Sequence, residues 1–214
     1  EEAIKGLKHN PPIRYIEPAQ YDRPLYDLPD EIIPWGIDRV DAEVAHANGD
    51  AGSGVDIAIS DTGIDADHPD LSANLGDGYA TAGQDCVDGS HPDGYCDEVW
   101  DDTDGHGTHV AGIANAAGNT EGVIGVSTDA TLHAVKIFPD GGHDKIKEGL
   151  LWAADQGYDV VNMSHGGSDS ETKKEGVEYA ANKGVLLVAA AGNDGNKTKC
   201  DDDDCVDYPA AYPE

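Results

Sequence analysis

Three residues of this 214-residue chain have the types and settings for proton-transfer chemistry: Asp61, His106 and Asn193. His106 stands in "DTDGHGTHVAGI" (102–113), three residues before His109. An imidazole that titrates near neutrality is a good general base, and a buried carboxylate beside it would fix its tautomer. Asp61, in "AISDTGIDADHPDL", follows an apolar run and is the candidate carboxylate. Asn193, in "VAAAGNDG", follows another such run, where an amide could donate to a developing oxyanion. In isolation each has a plain alternative: a turn Asp before Gly63, a Gly-Asn turn, and two histidines packed on one helical face. The histidine pair could also ligate a metal, but "HGTH" lacks the glutamate of the H-E-x-x-H motif.

These residues need elements to position them. "VDIAIS" (55–60), "TLHAVKIF" (131–138), "YDVVNM" (158–163) and "VLLVAA" (185–190) read as strands. "THVAGIANAA" (108–117) is long enough for a helix. "DKIKEGLLWAADQ" (144–156) places Ile146, Leu150, Ala153 and Ala154 on one helical face. "ETKKEGVEYAANK" (171–183) is a helix ended by Gly184, where a left-handed residue belongs. Near-continuous apolar strands alternating with helices predict an α/β fold, a mostly parallel sheet with helices on both faces. In such sheets chemistry collects beyond the strand C-termini, which is where Asp61 and Asn193 fall. "DTG" also raises the paired carboxylates of an aspartic protease, but no second D-T-G or D-S-G occurs and those enzymes are mostly β.

Composition sets the surroundings. The chain has 43 acidic and 13 basic side chains, a formal net charge of −30, which excludes a basic footprint for nucleic acid and argues against anionic membranes. Recurrent apolar runs rule out disorder of the whole chain, so the acidity is read as the surface of a folded protein whose self-repulsion salt would screen, halophilic in the first reading and an acidic-surfaced mesophile in the alternative. No run approaches the ~18 apolar residues of a membrane span. Cys86/Cys96 and Cys200/Cys205 fall as two local pairs in Gly/Asp-rich loops, which favours disulfides of an exported protein over free thiols or a zinc site. The runs "CDDDDCVD" and "DEVWDDTD" read as solvated acidic loops. Residues 1–34, rich in Pro and Tyr, read as an extended segment ahead of the domain.

Taken together, "AISDTGID…HPDL", "DGHGTHVAGI", "DVVNMSHGG" and "VLLVAAAGNDG" resemble, block by block and in order, the subtilisin-like serine proteases. The resemblance implies that Asp61 orients His106, that His106 is the general base and that Asn193 supplies the oxyanion-hole side chain. It makes His109 a structural residue of its helix, packed or hydrogen-bonded. It implies that Ser164, His165 and Gly166 line the substrate cleft, with His165 standing where the family usually has Leu, beside the pocket for the P1 side chain. It further implies a structural Ca²⁺ held by Asp70, Asn119 and the carbonyls of Ala117, Glu121 and Val123, an oxygen cage of the kind this ion prefers. The partners implied are protein or peptide substrates and the protein's own pro-segment as inhibitor; the protein is expected to be monomeric and extracellular.

The family's nucleophile lies in a G-T-S-M-A block downstream of the oxyanion Asn, and no G-T-S-x-A or G-x-S-x-G occurs in these 214 residues. The expectation is therefore a partial sequence of a longer exported precursor. Residues 1–34 would be the end of the inhibitory pro-segment and a linker, and residues 35–214 the N-terminal portion of the catalytic domain, inert by itself. The alternative is a truncated pseudo-protease acting as a binding module.

Overall fold

The four apolar runs and one further segment form a five-stranded, wholly parallel sheet in the spatial order Leu75–Ala80, Thr131–Lys136, Asp56–Asp61, Val160–Met163, Leu186–Ala189. The computed structural model of the chain describes residues 31–86, 96, 98–193 and 205–213. Its strands are β1 (Asp56–Asp61), β2 (Leu75–Ala80), β3 (Thr131–Lys136), β4 (Val160–Met163) and β5 (Leu186–Ala189). Its α-helices are α1 (Trp35–Arg39), α2 (Ala42–Ala47), α3 (His106–Asn115), α4 (His143–Gln156) and α5 (Glu171–Asn182). Both faces of the sheet are covered, as the near-continuous apolar strands require.

Side chains alternate along each strand, so the two faces build two cores. On one face Ala58, Val135 and Val161 pack with Ile146, Leu150, Ala153 and Ala154 of α4 and Val177 and Ala180 of α5. The helical face expected from spacing in α4 is thus the buried one. On the other face Ile59, Leu132 and Ala134 pack with Ala111 of α3 and with Ile64, Leu71 and Trp100. Ser170 caps α5 by accepting from Lys173 N, and Gly184 follows the helix at φ +92° in the left-handed region.

Strand β2 escaped the sequence reading because "LGDGYA" carries no apolar alternation. The reason is steric. A Cβ on Gly78 would lie 2.6 Å from the Trp100 ring, and one on Gly76 would lie 2.5 Å from the His133 ring. The neighbours fill the space that the strand's own side chains would have occupied. Helices α1 and α2 are too short to show a helical period.

Residues 31–34 already belong to the folded unit. Ile32 N donates to Gly122 O at 3.0 Å, Ile124 N donates to Ile32 O at 3.2 Å, and Glu31 Oε1 accepts from Asn119 N at 2.8 Å. Most of the expected pro-like segment lies outside the described residues. Cys86 and Cys96 form a disulfide, with Cα atoms 6.0 Å apart. Cys205 is also disulfide-bonded, while Cys200 lies outside the described residues. Among the described residues no helix is long and apolar enough to cross a membrane.

A mostly apolar cleft of about 1010 Å³ runs along α3, walled by Ile37, Val40, Ile113, Ile124 and Val126. Leu186 and Val188 of β5 are also exposed.

Candidate active site

Asp61 is the last residue of β1 and is fully buried. Its Oδ1 accepts from Thr62 N and from His106 Nδ1, both at 2.7 Å. Its Oδ2 is buried with no hydrogen-bond partner among the described residues. A carboxylate in that state favours a positive neighbour, and His106 is the neighbour. With Nδ1 engaged, Nε2 is the nitrogen left for proton transfer, and the side chain is 53% exposed. The Asp61 hydrogen bond raises the His106 pKa above its ordinary 6.5; burial opposes this, and the charges of Asp61, Asp104 and Asp102 add to it.

The pairing depends on a close approach between the loop after β1 and the start of α3. A Cβ on Gly107 would lie 2.1 Å from Gly63 O and 3.1 Å from the Asp61 Cβ, so only glycine lets the helix come this near. Gly107 N then donates to Thr62 Oγ1 at 2.8 Å. Asp102 secures the helix start: Oδ1 accepts from Asp104 N and Gly105 N, and Oδ2 from the Thr108 amide and hydroxyl. Burial pushes the Asp102 pKa up, but those donors outweigh it, and the net direction is down. The acidic residues of "DEVWDDTD" at 101 and 102 are therefore buried scaffolding and not solvated loop, because backbone donors replace the lost water.

Sequence reasoning missed Lys136. It lies beside Asp61 in the register of β1 and β3, is 2% exposed, and donates to Thr62 O and to Asp101 O. It ties the two loops that present Asp61 and His106. An ammonium inside an apolar strand run is itself the signal, since a buried charge needs partners. His109 is exposed and lines the cleft along α3, and among the described residues its side chain makes no hydrogen bond.

The other candidate segments leave adjacent strands side by side. Met163 and Ala189 are register partners, and Ala190 N donates to Met163 O at 3.0 Å. From there run Ser164–Gly166 on one side and Ala190–Asn193 on the other. Ser164 Oγ accepts from Asn162 Nδ2 at 2.9 Å. Gly166 and Asn193 are exposed. The His165 ring meets Phe138 edge to face, with centroids 5.9 Å apart, and its Nε2 is buried without a partner among the described residues. Burial pushes its pKa down to about 4, helped by the charges of Lys173 and His106.

The cation candidates also come together. Asp70 is buried; its Oδ2 accepts from Val123 N at 3.0 Å, and its Oδ1 lies 3.4 Å from Asn119 Nδ2. Asn119 Oδ1 accepts from Glu121 N at 2.8 Å. Glu31, which sequence reasoning did not single out, joins them through Asn119 N. Two carboxylates and an amide thus lie around the 117–123 loop and are hard oxygen groups of the kind calcium prefers, with Asn119 Oδ1 engaged by Glu121 N.

The sequence profile of the subtilase family, Peptidase S8, matches residues 52–214. The chain belongs to the subtilase family. It is 36% identical over 217 residues to subtilisin E of Bacillus subtilis (strain 168), covering 100% of this chain and 52% of that protein. To an alkaline protease of Shouchella clausii it is 38% identical over 215 residues, covering 99% and 50%. To subtilisin BL of Lederbergia lenta it is 40% identical over 184 residues, covering 84% and 60%. The chain spans about half the length of the curated relatives it matches.

Proposed function

We propose that the protein containing this chain is a secreted serine endopeptidase in which Asp61 orients His106 and His106 is the general base. The observation that carries this reading is the 2.7 Å bond from His106 Nδ1 to a fully buried carboxylate at the end of β1. A serine hydroxyl attacks the peptide carbonyl while His106 Nε2 takes its proton. The oxyanion accepts from Asn193 Nδ2 and a backbone N–H, and the imidazolium returns the proton to the departing amine. Water then repeats the sequence on the acyl-enzyme. Ser164, His165 and Gly166 line the substrate side of the cleft.

The nucleophile is not supplied by a G-T-S-x-A block within residues 1–214, so this stretch alone is inert in our reading. The segment before residue 31 acts as the end of an inhibitory pro-segment, residues 31–34 stay with the domain to which they are hydrogen-bonded, and the protein works as a monomer outside the cell. Its charge of −30 suits high salt, where a melting temperature rising with KCl is expected.

Asp70, Asn119 and Glu31, with the carbonyls of Ala117, Glu121 and Val123, would hold calcium. When bound, the ion cross-links the N-terminal segment to the 117–123 loop and supplies no chemistry to the reaction. Chelation is expected to lower the melting temperature, and Glu31→Gln to reduce that response.

Fluorophosphonate labelling tests the main reading. The full-length protein should label stoichiometrically and lose labelling in His106→Ala, while residues 1–214 alone should not label. Labelling of the 214-residue chain, or none of the full-length protein, would overturn it.

A further inference from the structure

We propose that Asp207 determines the specificity of the cleft and directs cleavage to bonds after basic side chains, lysine or arginine. This deepens the endopeptidase reading above and rests on it.

The sequence assigns Asp207 to the end of a solvated acidic loop, "CDDDDCVD". The structure puts it elsewhere. Asp207 N donates to Ala191 O at 2.9 Å, and Tyr208 and Gly167 exchange backbone hydrogen bonds at 3.0 and 3.1 Å. Residues 207–208 are therefore laid against both segments proposed to receive substrate, 164–167 and 190–193. The carboxylate stands between them. Its Oδ2 is 2.7 Å from where a Cβ on Gly166 would lie, and 2.5 Å from where one on Gly192 would lie. Both glycines are exposed and neither carries a side chain, and Asp207 itself is half-buried.

This carboxylate is also unspent. No described residue hydrogen-bonds to it or forms an ion pair with it. The cation that acts on it is Lys173, which is 1% exposed and donates to Ser168 O and Tyr208 O, both at 3.0 Å. Lys173 offsets part of the charge while its ammonium hydrogen-bonds to those carbonyls and not to the carboxylate. His165, beside Gly166, is uncharged at neutral pH and adds no repulsion. A substrate ammonium or guanidinium reaching between the two glycines would form a charge-assisted hydrogen bond that an apolar side chain cannot make. An apolar side chain would leave the carboxylate desolvated and unpaired, which disfavours it.

The net charge of −30 attracts basic substrates in general, so the test must separate the site from the background. The full-length protein is assayed on peptide amides that differ only in the residue before the scissile bond: Lys, Arg, Phe or Glu. The wild type should prefer Lys or Arg to Phe by about tenfold or more in kcat/KM, and Asp207→Asn should cut that ratio by about 10–100-fold. Asp38→Asn, which removes an exposed charge on α1, should leave the ratio in place at low and high salt. Benzamidine should compete with the Lys substrate on the wild type, a readout that needs no variant to fold.

Preference for Phe, an unchanged ratio in Asp207→Asn, or no competition by benzamidine overturns the proposal and leaves the endopeptidase reading standing. A ratio that falls equally in Asp38→Asn and vanishes in salt overturns it too, in favour of the general field. Cleavage of no peptide, together with no fluorophosphonate labelling, removes the endopeptidase reading and this proposal with it.

Discussion

Asp61 and His106 sit in a mesh of side-chain-to-backbone hydrogen bonds, whereas Ser164–Gly166 and Ala190–Asn193 are joined chiefly through backbone pairing. In the first region Thr62, Asp102, Thr108 and Lys136 each fix a neighbouring loop, and Asp61 and Asp102 are buried. In the second, Gly166, Gly192 and Asn193 are exposed, and no described residue bonds the Asn193 side chain. The difference matches the work the proposed mechanism asks of each region. An acid–base pair must keep one tautomer and one distance through many cycles. A cleft must admit a chain, and its polar groups must be unpaired until the chain arrives.

The comparison breaks first at Asp61. Asp61→Asn keeps the shape but removes the charge and permits the wrong tautomer of His106. In the full-length protein kcat should fall about 10⁴-fold, the loss known for the Asp of such triads, with KM little changed. A loss below tenfold would mean that His106 works without the carboxylate. Asn193→Ala should cost about 10²–10³-fold in kcat, the range this donor carries in the subtilisins. Because the side chain is exposed and unbonded among the described residues, the melting temperature should not move. A drop in melting temperature without a drop in kcat would assign Asn193 to the scaffold and erase the contrast between the regions.

Much of this was legible from local pattern. The apolar runs gave four strands, and spacing gave the buried face of α4. "HGTH" alone said little, and it was the four-block resemblance to the subtilases that implied the pairing of His106 with Asp61. What stayed hidden depends on distant segments meeting. Glu31 reaches Asn119 across 88 residues, and Lys136 reaches Thr62 across 74. Strand β2 was hidden because its glycines answer to Trp100 and His133, not to a pattern of their own. Asp207 reads as one more acid in an acidic run until the fold sets it between two glycines.

Gly107 sharpens the comparison on the stability side. Its Cβ position is 2.1 Å from Gly63 O, a backbone atom that cannot swing aside, so Gly107→Ala must push α3 away from the loop after β1. Overpacking of this kind costs about 1–3 kcal/mol. Both melting temperature and kcat should fall, because the same approach sets the Asp61–His106 distance. Gly166→Ala makes a comparable contact, 2.6 Å from the Asp207 Cβ, but against a side chain. It should disturb the substrate ratio more than the melting temperature.

The smallest effect concerns pH. The Asp61 hydrogen bond raises the His106 pKa above 6.5, with Asp104 and Asp102 contributing through their charges. A folded-state pKa raised above the unfolded value means that the pair's contribution to stability is full below 6.5 and is lost as pH climbs through the raised value. General-base catalysis needs the opposite protonation state. Activity should therefore grow over the same window in which the pair's cohesion fades, and the acid limb of kcat/KM should lie above 6.5. Asp104 is exposed, so its share is screened by solvent and salt. Asp104→Asn should shift the limb downward at low salt and less at high salt, without moving the plateau. A limb below 6.5 in the wild type would contradict the electrostatic account of His106, and a limb unmoved in Asp104→Asn at low salt would leave Asp61 as the main source of the shift.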